Sequence, residues 1–564
     1  MTTIRGVGAS SGAAVGPAWV HRVAVPTVPS GLVDDPDAEA QRLAAALEAV
    51  STELGARAAE VGGELGEILD AQAAMAADPE LAELAGRAVR DDLVTAARAV
   101  IDACEAYATM LADSDNEYLA ARAQDVRDVG SRVARRLLGL ADPDLASLAH
   151  PVIVVADDLA PADLAAARTD RLLALATEQG SRTSHTAIVA RALGIPAVVG
   201  AAGLLAVVAD TATVAVDGDA GEVHVVPDAD TVAAIKARAA TAQQGRRRLA
   251  EVAGTEPAAT ADGVRIELAA NVATLAETEA AVANGAEGVG LLRTELLYVN
   301  AAKAPSVEQQ AETFAAIADA LNGRRLVIRT FDFGADKPVP FLPTSAEPNP
   351  ALGVRGLRLA REHPELLVDQ LQAIAQAARS RPERLLAVMA PMVATTEEAE
   401  WFRTQVDAVD IAGVEVGIMV EVPSAVFLAR ELAYRLDFLS IGTNDLTQYL
   451  HAADRQAGRL AELQDPFAPA VLRAVGQVCR AADGKAWVGV CGEAGGDPAW
   501  ALVAVGLGVR ELSMGPDALL RVKAALRRCP FSTCQHAARQ AIGAVDAKSA
   551  RAAAEAALGE ALSL

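Results

Sequence analysis

From residue 259 to the C-terminus, short apolar runs alternate with longer helical patterns, and this alternation constrains the fold more than any other feature of the chain. The runs at 264–270, 288–292, 325–330, 385–390, 415–420, 437–441, 486–491 and 510–513 predict eight strands, each followed by a helix. Eight such units over about 250 residues have the arithmetic of a closed (β/α)8 barrel, whose reactive side chains gather at the C-terminal ends of the strands.

Upstream the texture changes twice. Residues 1–25 are rich in glycine and small residues and end in a strand-like run; they are too short to fold alone but suit the β-rich stretch at 145–228. Between them, 26–144 is mostly Ala, Leu, Glu and Arg at helical spacing. The reading is a multidomain α/β protein: one α/β domain made of 1–25 and 145–228, a helical bundle inserted at 26–144, a helical linker at 229–258, and the barrel at 259–564. The segment from about residue 545 is helical in pattern, with docked helix and tail both open.

Composition narrows the partners. Fifty basic against 74 acidic side chains leave a net charge of −24, which argues against nucleic acid and anionic membrane surfaces, so any anion must meet local cations. The longest charge-free stretch, 192–209, contains Gly194, Pro196, Gly200 and Gly203, so no membrane insertion is expected. The N-terminus lacks a secretory pattern, and the five scattered cysteines include no C-x-x-C pair; a cytoplasmic protein with reduced thiols is expected.

Just past the predicted strands stand Arg293, Arg329, Glu421, Asn444, Asp445 and Cys491, with Arg455 a little further on. Guanidinium groups grip phosphate or carboxylate in a bidentate way, and a carboxylate pair holds a hard divalent cation such as Mg²⁺. A glycosidase acid/base pair is the rival use of two carboxylates, but the three arginines favour a phosphorylated acid. In the middle domain, EQGSRTSHTAIVARALGIP sets His185 after a strand and at the start of an amphipathic helix, with Thr183 or Ser184 as its N-cap. A phosphoryl group on that ring would meet the anion-favouring end of the helix.

These residues resemble Enzyme I of the bacterial phosphoenolpyruvate-dependent sugar phosphotransferase system, over essentially the whole chain. The resemblance rests on Thr183-Ser184-His185-Thr186-Ala187-Ile188 with Ala190-Arg191, and on GVGLLRTELLY, VIRTFDFGADK, NPALGVRGLRL, SIGTNDLTQYLHAADR and GVCGEAGGDP. It implies that His185 takes a phosphoryl group from phosphoenolpyruvate and passes it to a histidine of the carrier protein HPr, releasing pyruvate in the first step of sugar uptake. It further implies that Arg293 and Arg329 bind the phosphoryl group, Glu421 and Asp445 hold Mg²⁺, and Asn444, Asp445 and Arg455 bind the substrate. Cys491 would protonate the enolate. The bundle would dock HPr, the histidine domain would swivel, and the barrel would form a homodimer; because the histidine must face both the barrel and HPr, hinges are expected near residues 25, 145 and 228 and near the linker. Two positions depart from the family pattern: Ser181 follows Gly180, and Ala335 follows Gly334, each where a second glycine is usual.

Two other readings compete. A pyruvate phosphate dikinase or phosphoenolpyruvate synthase would need a nucleotide-grasp domain that no segment supplies, and neither a P-loop nor G-x-G-x-x-G occurs. A non-catalytic regulator would have no need of the intact charged set.

Overall fold

The computed structural model describes residues 2–21, 33–61, 63–112, 123–140, 145, 148–159, 163, 171–181, 184–192, 194–298, 303–335, 337, 339, 341–342, 347–381, 385–409, 413–455 and 457–563. Two compact units make up the chain, residues 1–244 and 245–564.

In the first unit, eight strands form one sheet: β1 (Thr2–Arg5), β2 (Val7–Ser10), β3 (Ala13–His21), β4 (Val152–Ala156), β5 (Leu172–Thr177), β6 (Ala197–Val199), β7 (Thr213–Asp217) and β8 (Glu222–Val225). Their order is β1-β8-β7-β3-β4-β5-β6-β2. β3 pairs in parallel with β4 and antiparallel with β7, so the chain's opening strands are interleaved with those beyond residue 150. The apolar run of β4 is buried along its whole length, as expected of a central strand covered on both faces.

Between β3 and β4 lie the helices Pro36–Val61, Gly63–Ala76, Pro79–Asp91, Ala96–Ala112 and Ala123–Leu137. Leu43, Leu47, Val50 and Leu54 recur at three- and four-residue spacing and are all buried, as are Val126, Val129 and Val133, so each helix turns one stripe into a shared core. Gly130 permits the close crossing of the last two helices, since a Cβ there would stand 2.7 Å from Cys104 Cβ. Of the segment NEYLAARAQDVRDVGSR, residues 116–122 lie outside the described residues. The helix Ala229–Ala253 carries the chain from the first unit into the second.

The second unit is a closed, all-parallel barrel: β9 (Glu267–Val272), β10 (Gly288–Arg293), β11 (Arg325–Arg329), β12 (Leu385–Ala390), β13 (Glu415–Val420), β14 (Phe438–Ile441), β15 (Trp487–Val490) and β16 (Glu511–Met514), with β16 pairing β9. Seven strands fall within about a residue of the sequence reading. The first is corrected: 264–266 do not join β9, because Ala259 and Arg265 form an antiparallel bridge and Ile266 donates its N–H to the Ala258 carbonyl. Val264, Arg265 and Ile266 are spent on a local turn before the barrel begins.

The outer core between strands and helices is aliphatic and includes Trp500, which is fully buried and donates Nε1–H to the Pro466 carbonyl at 3.1 Å. The C-terminal segment resolves as a docked helix, Ala547–Leu558. A reciprocal capping box between Asp546 and Ser549 starts it, and Ala550, Ala554 and Leu558 face the barrel core.

Candidate active site

Parallel strands in register deliver their last residues to one level. Arg293 and Arg329 are paired Cα partners at the ends of β10 and β11, and Val420, Ile441 and Val490 align likewise before Glu421, Gly442 and Cys491. All seven barrel residues expected from the sequence, Arg293, Arg329, Glu421, Asn444, Asp445, Arg455 and Cys491, line one cavity of about 690 Å³.

Its charges are unevenly held. Arg329 is buried and pairs with Glu295 Oε1, and its Nη1 lies 3.5 Å from Asp332 Oδ2. Asp332 is wholly buried and also meets Lys337 Nζ at 2.6 Å and Arg355 Nη2 at 2.8 Å. Burial opposes its ionisation, but Arg329, Lys337 and Arg355 outweigh that and hold the carboxyl well below the ordinary aspartate value. The buried Nε of Arg293, like that of Arg329, has no hydrogen-bond partner among the described residues. A guanidinium brought to a cavity wall without an acceptor suits an incoming anion.

The carboxylates are disposed otherwise. Glu421 Oε1 accepts the Met392 N–H at 2.6 Å, and Met392 takes a left-handed φ of +59°, a conformation costly for a side-chain-bearing residue. Burial first, then the charges of Asp445 and Asp332, raise the Glu421 carboxyl to about 8. Asp445 is buried too; its Oδ1 accepts no hydrogen bond among the described residues and lies 3.6 Å from Arg455 Nη1. Asn444 accepts the Glu493 N–H at 3.2 Å through its Oδ1.

Cys491 is buried at the cavity floor. Burial pushes its thiol up to about 12, so it stays protonated, and its Sγ lies 3.8 Å from the Ile441 carbonyl oxygen. Its backbone is held by Asn271, whose Nδ2 donates to the Cys491 carbonyl at 2.9 Å while Oδ1 accepts from Ser513 Oγ at 2.6 Å.

Sequence reasoning passed over Glu295, Asp332, Lys337, Arg355 and Asn271. Four of these sit inside the quoted motifs, and the available signal was the unusual length of the segment from β11 to the helix Leu357–Glu362, far beyond an ordinary strand–helix loop. The departures are accommodated: neither Ser181 nor Ala335 adopts left-handed backbone, whereas Gly180, at φ +102°, does.

In the first unit, His185 opens the helix His185–Ala192. Ser184 Oγ accepts the Ala187 N–H at 3.4 Å, making Ser184 the N-cap; Thr183 lies outside the described residues, as do the side chains of His185 and Arg191. Thr186 Oγ1 donates to Asp158 Oδ1 at 3.3 Å, tying the first turn to the loop after β4.

A barrel mouth of arginines and paired carboxylates, in a chain that also carries a helix-start histidine, is the equipment of an enzyme handling a phosphorylated acid. Family models agree: "PEP-utilising enzyme, N-terminal" matches residues 5–122, "PEP-utilising enzyme, mobile domain" matches 148–221, and "PEP-utilising enzyme, PEP-binding domain" matches 247–531. The chain is 45% identical to a phosphoenolpyruvate-protein phosphotransferase of Streptomyces coelicolor over 99% of each chain. It is 36% identical to one of Staphylococcus carnosus over 96% of each chain, and 37% to one of Geobacillus stearothermophilus over 93% of each. It belongs to this family of phosphoryl-transferring enzymes, as the motif resemblance implied.

Proposed function

We propose that this chain transfers the phosphoryl group of phosphoenolpyruvate first to His185 and then to a histidine of HPr, releasing pyruvate at the entry to phosphotransferase-driven sugar uptake in the cytoplasm. The observation that carries the reading is the convergence of Arg293, Arg329, Asn444, Asp445, Arg455 and Cys491 on one cavity, in a chain of this family. Arg293 and Arg329 grip the phosphoryl oxygens and neutralise charge as the bond to the enol oxygen loosens. Asn444, Asp445 and Arg455 orient the rest of the substrate. A neutral imidazole nitrogen of His185 accepts the phosphoryl group. Cys491, held as a thiol, delivers its proton to the methylene carbon of enolpyruvate, giving pyruvate.

Glu421 and Asp445 fit a hard divalent cation: both are buried carboxylates on the same cavity, and Asp445 Oδ1 accepts no hydrogen bond among the described residues. They would hold Mg²⁺, which supplies charge neutralisation to the substrate's oxygens when bound. The domain roles follow the same reading: 1–25 with 145–228 carry the histidine and swivel, 26–144 dock HPr, 229–258 link, and 259–564 bind phosphoenolpyruvate and form a homodimer.

Incubating the protein with phosphate-labelled phosphoenolpyruvate and Mg²⁺ tests the proposal. Acid-labile label is expected on the parent protein and none on His185→Ala; equal label on both would refute the assignment.

A further inference from the structure

One buried amide outside the cavity ties together the two strand ends that carry the arginines. Gln370 lies on the helix Pro364–Ser380 and has no exposed surface. Its Oε1 accepts the Phe331 N–H at 2.9 Å, and its Nε2 donates to Thr294 Oγ1 at 3.2 Å. Thr294 Oγ1 in turn donates to the Arg329 carbonyl at 2.8 Å. The chain of donors is self-consistent: the hydroxyl's single hydrogen goes to Arg329, so the hydroxyl accepts from the amide, and the amide oxygen is left facing the Phe331 N–H.

Thr294 follows Arg293 directly and precedes Glu295, the partner of Arg329; Phe331 stands two residues beyond Arg329. The three bonds thus span from the end of β10 to the end of β11. Nearby on the same helix are the buried Leu367, Leu371 and Ile374, and an amide among such side chains must satisfy both its ends or incur a desolvation cost that leucine would not. Among side chains that carry no ionisable group, no other of that length both donates and accepts in this geometry.

We propose that Gln370, acting through Thr294, is a positioning residue that sets the spacing between Arg293 and Arg329 for the phosphoryl group. The inference rests on reading those arginines as the phosphate-binding cations, and it adds to them a device that touches neither substrate nor metal.

The test measures, on the full-length protein with Mg²⁺, the initial rate of labelling from labelled phosphoenolpyruvate as a function of its concentration, beside the thermal midpoint of each variant. Gln370→Leu is expected to raise the half-saturating concentration about tenfold, since small misplacements of binding groups carry large kinetic losses. Thr294→Val does the same, Thr294→Ser restores the value to within about twofold of the parent, and the Gln370→Leu/Thr294→Val pair is no worse than the poorer single variant because one chain of bonds is cut once. If Gln370→Leu does not fold, Gln370→Met, which keeps the side-chain length and loses both the amide donor and the amide acceptor, takes its place. Variants that lower the thermal midpoint but leave half-saturation unchanged overturn the proposal. Arg293→Lys and Arg329→Lys in the same assay separate the two layers: if they label like the parent, the cation reading fails; if they fail to label while the Gln370 and Thr294 variants behave as the parent does, only the clamp fails.

Discussion

The barrel mouth and the turn that opens the histidine helix both gather groups suited to a phosphoryl group, yet they are held by different physics. At the mouth, Asp332 is sealed among Arg329, Lys337 and Arg355, and parallel register sets Arg293 beside Arg329. Around His185 the described framework carries hydrogen bonds in place of ion pairs: left-handed Gly180, the Ser184 cap, and links from Thr186 to Asp158 and from Ser10 Oγ to the Ala190 carbonyl. The mouth is a lattice of buried ion pairs, whereas the start of the histidine helix is held by backbone conformation, a cap and single hydrogen bonds. A site that binds a small polyanion profits from cations already fixed in position.

Asp332→Asn leaves two buried arginines and the half-buried Lys337 beside a neutral amide, and about 3–5 kcal/mol of stability should be lost in denaturant unfolding of the full-length protein. A loss below about 1 kcal/mol would show that the lattice is not what holds the mouth. Cys491→Ser replaces the thiol with a weaker acid of similar size and should slow pyruvate release by roughly 10²–10⁴-fold with little change in unfolding midpoint; unaltered release would remove Cys491 from the reaction.

A third prediction concerns pH. In the metal-free protein Glu421 is raised to about 8, so below that value a divalent cation must displace a proton to bind it. Apparent Mg²⁺ affinity should therefore rise with pH, by up to about tenfold per unit below 8, and level off above it. Calorimetric titration at several pH values checks this, and a flat profile between 6 and 8 would count against Glu421 as a ligand. The smallest effect belongs to the histidine turn: Ser184→Ala removes the N-cap and should cost about 1 kcal/mol, read as faster amide hydrogen exchange confined to the helix His185–Ala192. Exchange that quickened across the whole α/β sheet would mean the cap holds more than this helix.

Much of the fold was legible because its signals are short-range. Alternating runs bounded by turns marked the barrel strands, and three- and four-residue spacing marked Leu43, Leu47, Val50 and Leu54. Within the candidate site, residues directly beyond strands were found by counting, since a barrel brings every strand end to one rim. Glu295, Asp332, Lys337 and Arg355 were missed because each reads locally as an ordinary loop charge. Val264 to Ile266 misled because a strand-like run does not reveal whether it pairs with a neighbour or turns back on itself.

Sequence alone was enough to establish the order of elements, the identity of the strand-end groups and the helix that His185 begins, since those follow from backbone periodicity and side-chain chemistry over a few residues. Only the tertiary structure decided that the tail from Ala547 docks on the barrel, that Asp332 is enclosed by three cations, and that Gln370 reaches Thr294 across 76 positions. Those are matters of burial and of pairing between remote segments, and the energy of a charge or an amide is set by what surrounds it in space, which neighbouring residues in the chain do not specify.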